Sequence, residues 1–165
     1  MADAAESLIT AEMRAAIGKE SEPVHLEIDR TAIRMFARSV GHVDPIFYDV
    51  AAARAAGCRD IPCPPGYLGT PVFSHATSDP TTGRRLGAGE LQASRPLTRR
   101  LNGGTDIEYL EEICAGDTLT STSHLASVDE RMGSIGQMLI SVNKTVYKNQ
   151  HGRVVAIATG TGIRY

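Results

Sequence analysis

His42 and Asp44 stand two residues apart in the segment Gly41 to Leu68, which reads GHVDPIFYDVAAARAAGCRDIPCPPGYL. An imidazole and a carboxylate this close are candidates for a general acid/base pair, the machinery that moves protons on and off a carbon framework. Both also have a structural reading, since a histidine at a helix C-terminus is a common capping cation. Tyr48 is a phenol that can donate to a ligand, or sit half-buried at an interface. Gly66 follows two prolines, where it permits a tight turn and opens the next helix. His75 falls on that helix, as a base or as a satisfied core histidine. Arg84, Arg85, Arg99 and Arg100 are candidates to hold phosphate groups, or form a solvated surface.

These residues need elements to position them. Residues 5 to 17 are expected to form a short helix ending at Gly18. Glu22 to Ile28 alternates Val24, Leu26 and Ile28 with polar residues, the period of a half-buried strand. Asp29 is placed to cap a helix, whose stripe is Ile33, Phe36, Ala37 and Val40. Asp44-Pro45 breaks the chain. A second short helix runs from Asp49 to Ala56, with Gly57 at its end. The run IPCPPG is a rigid turn delivering Gly66 to a third helix, expected through Tyr67, Leu68 and Val72 to about His75. Residues 78 to 104 carry five glycines and are expected to be loop with a short strand or helix inside.

After Gly104 the texture changes to strands. Thr105 to Glu111 is one. Asp117 to Val128 is another, with Leu119 and Leu125 on one face. Ser134 to Tyr147 puts Met138, Ile140, Val142 and Val146 on one face, with period two. Residues 148 to 152 form a hairpin turn, and Arg153 to Arg164 is the last strand. Helices first and long antiparallel strands afterwards predict an α+β domain, a helix packed on one face of an antiparallel sheet. With neither a repeat nor a low-complexity linker, residues 1–165 are expected to be a single domain.

Composition narrows the function classes. The 165 residues are 42% hydrophobic, enough for a core, and carry a formal charge of −2. Neither a nucleic-acid nor an anionic-membrane partner is expected. No apolar run approaches bilayer length. The start MADAAESLITAEMRAAIG lacks a basic stretch followed by an apolar one, so no secretory signal is expected. Three cysteines (Cys58, Cys63, Cys114) make no even disulfide framework, which predicts a cytoplasmic protein with neutral thiols. Cys58 and Cys63 alone are too few for structural zinc, and no metal is expected.

The order of these pieces resembles the MaoC-like family of (R)-specific enoyl-CoA hydratases and dehydratases, in its N-terminal, FAS1-like dehydratase branch. The resemblance covers about residues 17 to 164. It is carried by IGKESEPVHLEIDRTAIRMFARSVGHVDPIFYD, the AARAAG helix, the PPG turn, LNGGTDIEYLEEICAGDTL and the final YKNQHGRVVAIATG hairpin. It implies the hot-dog fold, a curved antiparallel sheet wrapped around a central helix. Catalytic members carry an Asp and a His five residues apart, in a pattern like G-D-x-N-P-x-H. The pair activates the water that adds across the enoyl double bond. On this chain the family Asp falls on His42, the Asn on Asp44, the Pro on Pro45 and the His on Phe47. A phenylalanine carries no proton, so the standard dyad is absent. The family's oxyanion glycine falls on Gly66, whose N–H at a helix start favours developing negative charge.

The resemblance therefore implies a subunit of a heteromeric enoyl-thioester hydratase or dehydratase, the non-catalytic partner that shapes the acyl tunnel. Its substrate-binding residues would be Gly66, Tyr67 and Tyr48. Its partner would be a second MaoC-like hot-dog subunit carrying the dyad, or otherwise a second copy of itself. The thioester of coenzyme A or acyl carrier protein would be substrate, with no cofactor. Two alternatives stay open: a self-sufficient hydratase or thioesterase using His42 and Asp44, and a non-enzymatic acyl-thioester binding module.

Overall fold

A computed structural model describes residues 6–69 and 91–165. Among the described residues three short helices precede the long strands. Helix α1 (Ala11–Ala16) is capped by Thr10, whose hydroxyl accepts the Met13 N–H at 3.3 Å. Strand β1 (Val24–Glu27) follows. Helix α2 (Arg30–Ser39) is capped by Asp29, as the sequence predicts, with Oδ1 accepting from Thr31 N at 2.8 Å and Ala32 N at 2.9 Å. Asp49 caps α3 (Val50–Ala55) in the same manner. The stripe on α2 is narrower than predicted. Ile33 and Ala37 are fully buried, whereas Val40 is half exposed. The helix has already ended at Ser39, and Val40 is its C-cap.

Strands β2 (Arg100–Tyr109), β3 (Thr118–Gly133), β4 (Gly136–Lys148) and β5 (Val154–Arg164) complete one antiparallel sheet, in the order β1-β3-β4-β5-β2. The turn between β4 and β5 lies where the sequence puts it. Asn149 Oδ1 accepts the N–H groups of His151 and Arg153, and Gly152 supplies a φ of +77°. β2 starts five residues earlier than its predicted start at Thr105. Gly103 sits at a register shift between Asn102 and Gly104. A Cβ there would come within 2.8 Å of Thr161 Cγ2, so glycine lets the two strands approach. These glycines therefore belong to a bulged strand and not to a loop.

The sheet corrects the predicted core face of β4. Leu139 and Tyr147 are the buried residues, while Met138, Ile140, Val142 and Val146 are only half-buried on the opposite face. Alternation identifies two faces but does not say which one the rest of the chain covers. The inner face of β4 is apolar at its ends and polar between them, at Ser141, Asn143 and Thr145. In β3, a register shift between Leu125 and Ser127 leaves Ala126 unpaired, so Leu125 and Val128 both pair with residues of β4's inner face.

The main core joins Ile28, Ile33, Ile61, Tyr67, Leu119 and Tyr147, among others. A smaller cluster of Leu8, Met13 and Leu139 lies at the other end of β4. The third predicted helix begins as a 3₁₀ turn over Tyr67–Gly69, and its continuation to His75 lies outside the described residues. Among the described residues no helix is long and apolar enough to cross a membrane.

The IPCPPG turn is anchored from below. Cys63 N–H donates to Ile113 O at 2.7 Å, and Ala115 N–H to Ile61 O at 2.9 Å. Asp117, 5% exposed, accepts from Arg59 (2.8 and 3.3 Å), Cys114 N (2.9 Å) and Gln150 Nε2 (3.0 Å). Burial alone would raise its carboxyl pKa. The bonds from Arg59, Cys114 and Gln150 outweigh that and hold it below the ordinary value. Asp60 accepts from Arg30 Nε at 2.8 Å and Nη2 at 2.6 Å, and from Ile61 N at 2.9 Å. Those bonds, the Arg30 pair first, lower it from 3.8 to about 2.

Both carboxylates are thus more acidic folded than unfolded. Their stabilisation is fully present above the unfolded value and is lost as pH falls through the folded one. Melting temperature is expected to stay level above about pH 5 and to drop between about pH 4 and pH 2. Asp60→Asn should flatten part of that drop. A thermal melt series of the two proteins from neutral pH to pH 2 checks this.

Candidate active site

The His42 loop leaves α2 through Gly41, whose φ is +78°. His42 N–H donates to Ala37 O at 2.9 Å and fixes the turn. The His42 ring lies against Phe47, with centroids 5.2 Å apart and planes at 42°. Asp44 is exposed, and its Oδ1 accepts the Ile46 N–H at 3.0 Å, capping a 3₁₀ turn over Pro45–Phe47. Tyr48 donates its hydroxyl proton to the His42 carbonyl, while Arg34 Nε donates to the Tyr48 carbonyl at 2.8 Å. The structure therefore brings together positions 42 and 47. It does not bring His42 to Asp44: among the described residues no hydrogen bond or ion pair joins them. Asp44 and Tyr48 hold the loop itself.

Gly66 is set by the PPG turn with φ +86°, a conformation L side chains rarely adopt. A Cβ added there would sit 3.6 Å from Phe36 Cζ. Phe36 in turn meets Tyr67 edge to face at 5.5 Å, so α2 supports both the His42 loop at its end and the Gly66 turn at its side. Tyr67 is buried rather than displayed, at 6% exposure, and burial raises its phenol. Tyr147 O–H donates to Leu68 O at 3.0 Å and holds the turn on the sheet.

The Gly66 N–H is engaged. It donates to the Tyr109 hydroxyl oxygen at 3.2 Å. Tyr109 closes β2 and is still 37% exposed; its partial burial pushes the phenol up to about 12, against the opposing pull of the Gly66 N–H. Tyr109 was missed at the sequence level, because nothing in its spacing links it to a residue 43 positions away. A cavity of about 180 Å³ beside it is walled by Pro62, Cys63, Pro65 and Ile113, with Glu111 and Glu112. Cys63 is no nucleophile at neutral pH, since burial pushes its thiol up to about 12. Cys114 is likewise raised to about 11. All three cysteines are free thiols.

A larger cavity of about 550 Å³ lies toward the other end of the sheet, against Leu125, Val128, Ser141, Asn143, Arg100 and Arg164. Of the arginines read as phosphate candidates, Arg84 and Arg85 lie outside the described residues, as does His75. Arg99 pairs its backbone with Tyr165, and Arg100 opens β2.

Residues 15–158 match the family model described as FAS1-like, dehydratase domain region. A UPF0336 protein of Parafrankia sp. is 32% identical over 139 residues, 82% of each chain. A UPF0336 protein of Streptomyces avermitilis is 30% identical over 122 residues, 72% of this chain and 74% of the relative. Among solved structures, the C-terminally truncated HadBC (3R-hydroxyacyl-ACP dehydratase) complex of Mycobacterium tuberculosis superposes with a TM-score of 0.66. That match has 20% identity and covers 90% of this chain and 96% of the other. The ChsH1-ChsH2 complex of the same organism gives 0.69 at 19% identity, covering 94% and 92%. At these identities the structural matches speak to the fold, which is the hot-dog fold of the MaoC-like dehydratases.

Proposed function

This chain belongs to the FAS1-like dehydratase domain family, and from that premise we propose that it is the supporting subunit of a heteromeric (R)-specific enoyl-thioester hydratase or dehydratase. It helps bind the acyl thioester, and a second hot-dog subunit supplies the Asp/His dyad. The observation that carries the reading is the pair at positions 42 and 47. They lie side by side as the dyad requires, yet they hold an imidazole and a benzene ring. Phe47 neither takes nor gives a proton, so no residue at these positions completes the water activation that hydration needs.

Two further features support it. Among the described residues β2 is a ten-residue edge strand, largely exposed and paired only to β5. Such an edge is a template for another strand, and the HadBC and ChsH1-ChsH2 neighbours are complexes. The 550 Å³ cavity has the size of a ligand pocket. It lies on the same inner face as Tyr147, about 20 Å along β4 by strand rise, a reach suited to an acyl chain. Coenzyme A and acyl carrier protein both present the same thioester.

Hydration of crotonyl-CoA, measured on this chain alone and on its mixture with a co-purified hot-dog subunit, tests the assignment. Activity in the mixture and none in the single chain is expected. Enzymatic rates from the single chain would overturn it in favour of a self-sufficient hydratase.

A further inference from the structure

The backbone amide expected to meet a thioester carbonyl already has a protein oxygen in front of it. The Gly66 N–H donates to Tyr109 Oη at 3.2 Å. A backbone amide aimed at an oxygen is what an oxyanion hole is built from, here with a phenol as occupant. With its oxygen engaged by that amide, the hydroxyl proton is the group left to offer, and no acceptor among the described residues takes it. We propose that Tyr109, seated on the Gly66 amide, is the residue that binds the acyl thioester, donating its hydroxyl proton to the carbonyl oxygen. The inference rests on reading the chain as an acyl-thioester-binding subunit.

Three features suit Tyr109 to this role. It is preorganised: its strand residue pairs with Ala156 of β5, and the Gly66 turn is fixed by its left-handed backbone and by Phe36. It is protonated at neutral pH, since burial pushes the phenol up to about 12. It is polarised, because a hydroxyl that accepts from N–H groups becomes a stronger donor in turn. The 180 Å³ cavity beside it has apolar walls at Pro62, Pro65 and Ile113, fit for a thioester and its first carbons. Its two carboxylates are balanced by cations, Glu111 by Arg153 at 2.9 Å and Glu112 by Arg59 at 3.5 Å. The thioester therefore does not meet an uncompensated negative wall.

The competing arrangement has the carbonyl displace Tyr109 and take the Gly66 amide directly. Tyr109→Phe separates the two, because it removes the hydroxyl and leaves that amide free. The probe is trans-cinnamoyl-CoA, whose absorbance moves to longer wavelength when its carbonyl accepts hydrogen bonds. It is titrated into the full chain, alone and with its co-purified partner. The expected result is a red shift with wild type that is at least halved in Tyr109→Phe, with binding about tenfold weaker, the scale of one lost hydrogen bond. An equal or larger shift in Tyr109→Phe would overturn the proposal. 3,5-Difluorotyrosine at position 109 keeps shape and hydroxyl while making the proton more acidic, and should enlarge the shift; an unchanged shift there contradicts the donor role. Wild-type binding without a shift sinks Tyr109 as donor and leaves the subunit reading standing. No binding by chain or complex defeats both.

Discussion

Replacing His42 by Asp and Phe47 by His in one chain should raise its enoyl-thioester hydration rate about 100-fold over wild type, the lower range for an added general acid/base. The two side chains already lie 5.2 Å apart by ring centroid, and histidine is smaller than phenylalanine, so no overpacking follows. The loop that holds them is fixed by bonds the substitutions leave alone: His42 N–H to Ala37 O, Asp44 on Ile46, and Tyr48 on the His42 carbonyl. Either single change should stay near wild type, since an isolated aspartate or histidine lacks the other half of the relay. Initial rates of crotonyl-CoA hydration for the four proteins, with crotonyl-CoA binding as control, read this out. A double variant that binds substrate and stays as slow as wild type would mean that positions 42 and 47 do not face the reacting carbons.

The second large effect is on assembly. Successive N–H groups of a strand point to opposite sides. Of the neighbouring substitutions Asp106→Pro and Ile107→Pro in β2, one removes a bond to β5 and the other an outward N–H. The outward one should leave the thermal melt near wild type. It should weaken association with the partner subunit about 100-fold, close to 3 kcal/mol at 1.4 kcal/mol per tenfold. The inward one should lower the melting temperature. Analytical ultracentrifugation of the mixtures checks both. If neither proline changes the stoichiometry, β2 is not the docking edge.

Much of the fold was legible in the sequence because local chemistry and tertiary structure agree. Asp29 and Asp49 cap the helices they precede, and Asn149 and Gly152 make the turn they suggest. Where they part, a long-range effect intervenes. The core side of β4 depends on which face the rest of the chain covers: α2 and the Gly66 turn bury Tyr147, while Leu8 and, from α1, Met13 bury Leu139, in place of the apolar set at Met138, Ile140, Val142 and Val146. The glycines at 103 and 104 suggested loop, whereas Gly103 lets β2 press against Thr161 and Gly104 takes a φ of +127° within the strand. At the site, the family resemblance pointed to positions 42 and 47, whose rings lie 5.2 Å apart. It did not point to the partners of Asp44, Tyr48 and Gly66. Asp44 is drawn to a backbone amide two residues on, and Tyr48 to a carbonyl six residues back. Gly66 meets Tyr109 from a strand whose register the sequence leaves open.

The central claim is that proton transfer belongs to the partner and not to this chain. The most direct measurement is kcat for crotonyl-CoA hydration in the assembled complex. It is taken with His42→Ala and Asp44→Ala in this chain, and separately with the dyad aspartate of the partner replaced by alanine. The account predicts kcat within about threefold of wild type for the first two, whose side chains pack or cap, and a loss of at least about 100-fold for the third. A 100-fold loss in His42→Ala, with the complex still assembled and the partner's variant active, would contradict it.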